Sequence, residues 1–236
     1  MTEHPTPDPV RLAFADKYDD AHAEYYYRKH RNGLSRRLSH LREAQLARQA
    51  LRLAGDPKEV LDLPCGAGRF WDMLLESPER QVIAADNSES MIAVARATHP
   101  EALSERVRTL RTSAFAIGLP DRSVDNVFCI RLLHHVQNHE HRLKLLGEFR
   151  RVTRDTLIVS LWVGGNFKAW RRARRERKRG NRSDPNRVVI PAGEIEAEFA
   201  ETGFTILGKF DFLPLYAMWR IYVLRRTDAV HASPAA

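Results

Sequence analysis

Cysteine is nearly absent from this sequence of 236 residues, which contains only Cys65 and Cys129. Two cysteines are too few for a disulfide framework, and their places in separate apolar stretches predict buried, reduced thiols. Neither has a neighbour at metal-ligand spacing, so no metal site is predicted. The sequence also lacks any apolar run of the roughly 20 residues that a membrane-spanning helix needs. A disulfide-rich secreted domain and a membrane-spanning protein are therefore both disfavoured.

The beginning of the sequence lacks the features of a secretory leader. Residues 1–10 show no positively charged start followed by an apolar core. This segment and residues 228–236 are rich in proline, alanine and small polar residues, and we expect both to be disordered. Residues 11–227 are long enough for one domain with one large core, and we expect a cytoplasmic protein.

The most informative segment is an apolar run that ends in an acid and opens into a glycine turn. Val60–Asp62 is followed by Leu-Pro-Cys and then by Gly66 and Gly68. Glycines let the backbone approach a ligand, and a helix that follows directs its free N–H groups to the same place. A second apolar run ends at Asp86, eighteen residues after Gly68, where a carboxylate can bind ribose hydroxyls. Together the two runs indicate a nucleotide-cofactor site.

These segments resemble the class I S-adenosylmethionine (SAM)-dependent methyltransferases, in the branch called the methyltransferase type 11 group. The resemblance is carried by Asp-Leu-Pro-Cys-Gly-x-Gly-Arg at residues 62–69 and Asp-x-Ser-x-x-Met at residues 86–91, and it covers residues 56–163. It implies SAM as the cofactor, with Asp62 near its methionine part and Asp86 on its ribose. The other cofactor contacts that it implies are Pro64, Gly66, Gly68, Asn87, Met91, Ala114, Phe115 and Ile130.

Met91 has a second interpretation, and Ser113 departs from the pattern of the family. Met91 either flanks the adenine or belongs to the core, since methionine fills core gaps readily. Ser113 stands where relatives often carry an acid that accepts from the adenine amino group. A neutral hydroxyl makes a weaker hydrogen bond than a carboxylate, so a modest affinity for SAM is expected.

The order of predicted elements favours a Rossmann-like, doubly wound α/β fold with helices on both faces. Only residues 214–217 separate the last two strands, so these strands must pair antiparallel, and the sheet has seven mostly parallel strands with an antiparallel final strand. Strands are predicted near 59–63, 81–86, 106–111, 124–130, 155–162, 204–212 and 218–226. Helices are predicted near 34–54, 69–77, 88–98, 138–152 and 191–203.

Residues just after the fourth strand should face the methyl group in this fold. His134 or His135 could act as a general base, because an imidazole with a pKa near 6.5 accepts protons at neutral pH; packing is the other role expected for them. With Arg131 and with Tyr18 of a predicted N-terminal helical lid (residues 11–54), they are the candidate catalytic residues. The segment lacks the Asn/Asp-Pro-Pro-aromatic pattern of base-amine methyltransferases, and the Pro64-Cys65 pair lies in the cofactor loop. Base modification is therefore disfavoured.

The net charge of +8 is concentrated in a predicted basic insert after the fifth strand, residues 164–190. A solvated helix face could account for such a run, but its density favours an acidic ligand or surface. Only Glu176 and Asp184 oppose the basic residues there. The basic residues of the insert are Lys168, Arg171, Arg172, Arg174, Arg175, Arg177, Lys178, Arg179, Arg182 and Arg187.

The expected function is methyl transfer from SAM to an oxygen or nitrogen of an acidic small-molecule or lipid- or glycan-linked acceptor. A second hypothesis is a SAM-binding regulatory or docking protein. It would use Arg171, Arg172, Arg174 and Arg175 to bind a protein partner or an anionic envelope glycan such as lipopolysaccharide. An RNA methyltransferase is the third hypothesis, and it is less favoured because neither an added recognition domain nor stacking aromatics are evident.

Overall fold

The structure is a computed structural model that describes residues 34–178 and 187–227. Tyr18 and residues 11–33 of the predicted lid lie outside the described residues, as do both predicted disordered ends. The strands are β1 (Glu59–Asp62), β2 (Gln81–Asp86), β3 (Val107–Arg111), β4 (Val124–Cys129), β5 (Thr153–Trp162), β6 (Phe204–Asp211) and β7 (Trp219–Arg226). The α-helices are α1 (Leu34–Leu53), α2 (Trp71–Leu74), α3 (Glu89–Thr98), α4 (Glu101–Ser104), α5 (His139–Val152), α6 (Phe167–Lys178) and α7 (Ala192–Glu201).

The seven strands form one sheet in the order β3-β2-β1-β4-β5-β7-β6. The five strands from β3 to β5 are parallel, and β7 pairs antiparallel with both β5 and β6. The connection between β6 and β7 is too short for a crossover, which forces this hairpin. The predicted sheet, including its antiparallel final strand, is confirmed.

Helices cover both faces of the sheet, as predicted. On one face α5 and α7 bury Phe149 and Phe199 in one core cluster. On the other, α1, α2 and α3 bury Ala47, Trp71 and Ile92 in a second cluster. The described part of the predicted lid, α1, is therefore a fixed part of the core. Among the described helices, none is both long and apolar enough to cross a membrane.

Local signals account for most of the helix boundaries. The Ser88 hydroxyl caps α3 by accepting from the Met91 N–H at 3.3 Å, and Asn138 caps α5 in the same way. The predicted helix at 69–77 is wrong in extent, because the positive φ of Gly68 (73°) leads into turns that last until Phe70. Helix α6 lies inside the predicted basic insert, for which no helix boundaries were predicted.

Candidate functional site

The carboxyl ends of β1 and β2 form what we call the cofactor half of the site. Asp62 ends β1 and Asp86 ends the neighbouring parallel strand β2. One carboxylate oxygen of Asp86 accepts from the Gly66 N–H and the other from the Ser88 N–H, both at 3.0 Å. Asp86 therefore holds the glycine turn against the start of α3.

Burial raises the pKa of both acids in the cofactor half. The Asp62 side chain is fully buried, and its Oδ2 has no hydrogen-bond partner within the described part of the chain. Burial and then the charge of Asp86 raise the pKa of Asp62 well above its usual value. Burial also raises the pKa of Asp86, although backbone N–H donors oppose the shift. SAM carries a sulfonium and an ammonium group, so it fits a site whose buried acids need positive charge and donors.

The two glycines of the turn have different structural roles. Gly66 has φ 53°, and apart from Gly66 itself and its two chain neighbours no atom of the described chain lies within 4 Å of the position that a Cβ would take, so the backbone there faces open space. Gly68 has φ 73°, and a Cβ there would lie 2.7 Å from His99 Cε1 and 2.9 Å from the Trp71 ring. Packing therefore requires a glycine at position 68, whereas position 66 leaves room for a ligand.

The second helix of the predicted cofactor site, α3, begins beside Asp86. Met91 is buried but belongs to neither of the two core clusters, and Asn87 is exposed at the start of the helix. This arrangement is compatible with the predicted adenine contacts, which remain predictions.

Most of the remaining predicted cofactor residues are apolar and lie in or against the core. Phe115 is buried in one core cluster, Ala114 packs against the same cluster, and Ile130 is buried in the other. The Ser113 hydroxyl already accepts from the Phe115 N–H at 3.2 Å. Pro64 is half-buried and follows a cis peptide bond.

The carboxyl ends of β4 and β5 form what we call the acceptor half. Arg131 follows β4 with φ 71°, and its N–H donates to Ser160 Oγ at 2.9 Å. Its guanidinium donates from Nε and Nη2 to the two carboxylate oxygens of Glu43, each at 2.9 Å, and lies over the Trp219 ring. The predicted catalytic Arg131 is thus placed in a fixed ion pair.

Glu43 connects the two halves. Arg69 of the glycine turn donates to its Oε2 at 2.7 Å, so Glu43, Arg69 and Arg131 form an ion cluster. Burial acts to raise the pKa of Glu43, but Arg131 and Arg69 outweigh burial and lower it. The sequence analysis missed Glu43. An acid in helical register with the buried Ala47 and Ala50 was the available signal.

His134 is enclosed by aromatic rings in the one-turn 3-10 helix Leu133–His135. Its ring centroid lies 4.0 Å from that of His135, 5.2 Å from the stacked Trp162 and 4.8 Å from the edge-on Trp219. Trp162 is the last residue of β5 and Trp219 the first residue of β7, and the contact of Trp219 with His134 was not predicted. The paired histidines are therefore part of an aromatic cluster that closes the end of the sheet.

Electrostatics keep the His134 imidazole neutral. Burial, and then the charges of His135, Arg187 and Arg131, lower its pKa well below 6.5. Its Nδ1 has no hydrogen-bond partner within the described residues. A neutral imidazole can accept a proton, but the lowered pKa makes His134 a weaker base than an exposed histidine, and the unpaired Nδ1 is itself buried.

A cleft of about 730 Å³ opens beside this cluster. Gln137 lines it after β4, residues 164–166 line it after β5, and one face of α6 closes it. Arg172 and Arg187 line the cleft, and both guanidinium groups lie over the Trp162 ring, at 5.3 and 5.4 Å. Arg172 also pairs with Glu176 at 2.8 Å, so the charge of the cleft is partly compensated.

Comparison with known proteins identifies the central part of the chain. Residues 60–156 match a family model described as a methyltransferase domain. A probable S-adenosylmethionine-dependent methyltransferase of Mycobacterium tuberculosis (strain H37Rv) is 31% identical over 121 residues, which are 50% of this chain and 41% of that protein. An uncharacterized methyltransferase-like protein of Schizosaccharomyces pombe is 35% identical over 81 residues, or 34% of this chain and 30% of that protein. The chain thus spans less than half the length of these curated relatives.

Solved structures agree with the sheet described above. Magnesium protoporphyrin IX methyltransferase from Synechocystis PCC 6803, with bound S-adenosylhomocysteine (SAH), has a TM-score of 0.73 at 18% identity. The match covers 90% of this chain and 98% of that one. The 1,6-didemethyltoxoflavin-N1-methyltransferase of Burkholderia thailandensis has a TM-score of 0.63 at 17% identity, covering 94% of each chain. At these identities the likeness concerns the fold, and the predicted fold is confirmed.

Proposed function

We propose that the protein is a SAM-dependent methyltransferase that transfers a methyl group from SAM to an acidic acceptor, because residues 60–156 match a model described as a methyltransferase domain and half of the chain is similar to a probable SAM-dependent methyltransferase. The methylated atom is an oxygen or a nitrogen, on a small molecule or on a lipid- or glycan-linked group. One observation carries the proposal: a cleft lined by Arg172 and Arg187 lies at the same sheet edge as the buried acids Asp62 and Asp86.

In this proposal the cofactor half binds and orients SAM. When bound, SAM supplies a methyl group on a positively charged sulfur, which a lone pair of oxygen or nitrogen attacks. Asp86 accepts hydrogen bonds from the ribose hydroxyls, and the unpaired oxygen of Asp62 accepts from the methionine part. Asn87 and Met91 flank the adenine, and Ala114, Phe115 and Ile130 complete the apolar wall.

The acceptor half positions the acidic substrate. Arg172 and Arg187 attract its anionic group, and the Trp162 ring beneath them supports both guanidinium groups. The imidazole of His134 or His135 takes the proton that the acceptor oxygen or nitrogen loses as it attacks. Arg131, fixed by Glu43, positions this segment, and Tyr18 stays a predicted contact.

The proposal is tested by titrating SAM and SAH calorimetrically into the purified protein and into Asp86→Ala. Wild type should bind both, and the variant should lose about 100-fold in affinity, because a charge-assisted hydrogen bond and the support of the glycine turn are removed. Asp72→Ala, which removes an exposed acid from α2, is the matched control and should bind normally.

Turnover separates the enzyme from the regulatory alternative. Incubation with SAM and fractionated extract should release SAH, and anion-exchange fractions enriched in acidic compounds should be the most active. Wild type that fails to bind SAM would overturn the proposal. Binding without SAH release in any fraction would favour a SAM-binding docking protein instead.

A further inference from the structure

Five large apolar side chains lie together on the surface beside the cleft. Phe167 and Trp170 come from the start of α6, whereas Leu213, Leu215 and Tyr216 come from the β6–β7 loop, and we call them the apolar patch. Each is more than 40% exposed, and Leu215 is 84% exposed. The Phe167 ring stacks on Tyr216 and contacts Trp170, both with centroids 5.8 Å apart. Contiguous exposed apolar surface of this kind marks an interaction site.

The backbone holds the patch in place. The Phe167 N–H donates to the Leu215 carbonyl at 2.9 Å, and the Lys168 N–H donates to the Tyr216 carbonyl at 3.0 Å. Leu215 has φ 60°, a left-handed conformation that is unfavourable for a leucine. The fold therefore keeps this leucine in water and in a strained conformation, which indicates a binding role.

Basic side chains of α6 surround the patch. Lys168 lies over the Tyr216 ring at 5.1 Å, Arg171 over Phe167 at 5.8 Å and Arg174 over Trp170 at 5.6 Å. Arg171, Arg174, Arg175, Arg177 and Lys178 are exposed, and the one acid of the helix, Glu176, is paired with Arg172 on the cleft side. Aromatic and aliphatic groups edged by arginine and lysine are typical of segments that lie in the interface of an anionic membrane.

We propose that the apolar patch and the basic residues around it dock the protein onto an anionic membrane surface. The aliphatic members favour this partner over RNA, because Leu213 and Leu215 have no ring on which a base could stack. Phe167, Trp170 and Leu215 also line the cleft, so docking places the mouth of the cleft at the head-group layer. Docking does not depend on the proposed methyl transfer.

Vesicle sedimentation tests the proposal with the full chain. Wild type should sediment with large vesicles of 70% phosphatidylcholine and 30% phosphatidylglycerol, but not with phosphatidylcholine alone, and binding should weaken in 0.5 M salt. Arg171→Glu with Arg174→Glu should weaken binding at least tenfold. Arg52→Glu with Arg108→Glu makes the same charge change at exposed sites outside the patch and should have little effect.

A second variant tests the apolar contribution. Trp170→Ser with Leu215→Ser should also weaken vesicle binding at least tenfold, and calorimetric SAM binding checks that each variant is folded. If the double variant does not fold, Leu215→Ser alone serves, since this side chain is almost wholly exposed. No wild-type binding, or equal losses in the charge variant and its control, would overturn the proposal. Tight binding to an RNA homopolymer that survives the serine substitutions would overturn it in favour of RNA.

Discussion

The cofactor half and the acceptor half occupy one edge of one sheet, yet they use burial in opposite ways. In the first, burial raises the pKa of Asp62 and Asp86. In the second, burial and nearby cations lower the pKa of His134. The cofactor half thus disfavours the negative charge of its own acids and favours a cationic ligand. The acceptor half disfavours a positive charge on its histidine and favours an anionic ligand. In the proposed function, this difference lets one site bind a cationic donor and an anionic acceptor through separate sets of residues.

Glu43→Gln should have the largest effect, because Glu43 connects the cofactor half to the acceptor half. Removing its charge takes away the carboxylate that pairs with the guanidinium groups of Arg69 and Arg131 in a partly buried place. We expect a loss of about 3–5 kcal/mol in the free energy of unfolding, measured by urea titration. Glu76→Gln, which breaks the exposed pair with Arg48, should cost less than about 1 kcal/mol. Equal losses of stability in the two variants would show that the ion cluster of Glu43, Arg69 and Arg131 contributes no more than an exposed ion pair.

His134→Gln should affect the acceptor half alone. Loss of a general base lowers kcat about 100-fold, or about 2.7 kcal/mol in the barrier, measured by SAH release. The dissociation constant of SAM should stay unchanged, because His134 is not part of the cofactor half. His135→Gln identifies the base: if only the His135 variant loses activity, His134 has a packing role.

Gly68→Ala and Gly66→Ala separate packing from ligand binding within the cofactor half. Alanine at 68 meets His99 and Trp71, so we expect a stability loss of about 2 kcal/mol. Alanine at 66 has space, and its positive φ should cost about 1 kcal/mol. SAM affinity should fall more in Gly66→Ala than in Gly68→Ala, which calorimetry can decide. A larger loss of SAM affinity in Gly68→Ala would indicate that the cofactor contacts Gly68 rather than Gly66.

Asp62→Asn gives the smallest expected effect and a pH signature. The folded pKa of Asp62 is raised, so its contribution to stability is present below the unfolded pKa of about 3.9 and is lost as the pH rises through the folded pKa. Urea unfolding without SAM should therefore show a smaller loss of stability between about pH 4 and pH 8 in the variant. The same pH dependence of stability in wild type and in the variant would contradict a raised pKa for Asp62.

The positions of Asp62, the glycine turn and Asp86 at the ends of β1 and β2 could be predicted because these determinants are adjacent in the chain. An apolar run, an acid and a glycine turn follow one another, and the Ser88 cap is equally local. The contacts of Arg131 and His134 in the acceptor half could not be predicted because their partners are distant in the chain. Arg131 pairs with Glu43, 88 residues away, and Trp219 reaches His134 only because β7 inserts between β5 and β6. Neither contact leaves a local pattern.

The attachment of α6 to the β6–β7 loop has an evolutionary consequence. The first two amides of the helix donate to carbonyls of the loop, so these contacts depend on main-chain atoms. Side chains along the rest of the helix can therefore change without displacing it. In the proposed function, substitutions within this helix change the choice of acceptor while the seven strands and the glycine turn stay constant. The basic character seen here would then be one solution among many that the same anchored segment can adopt.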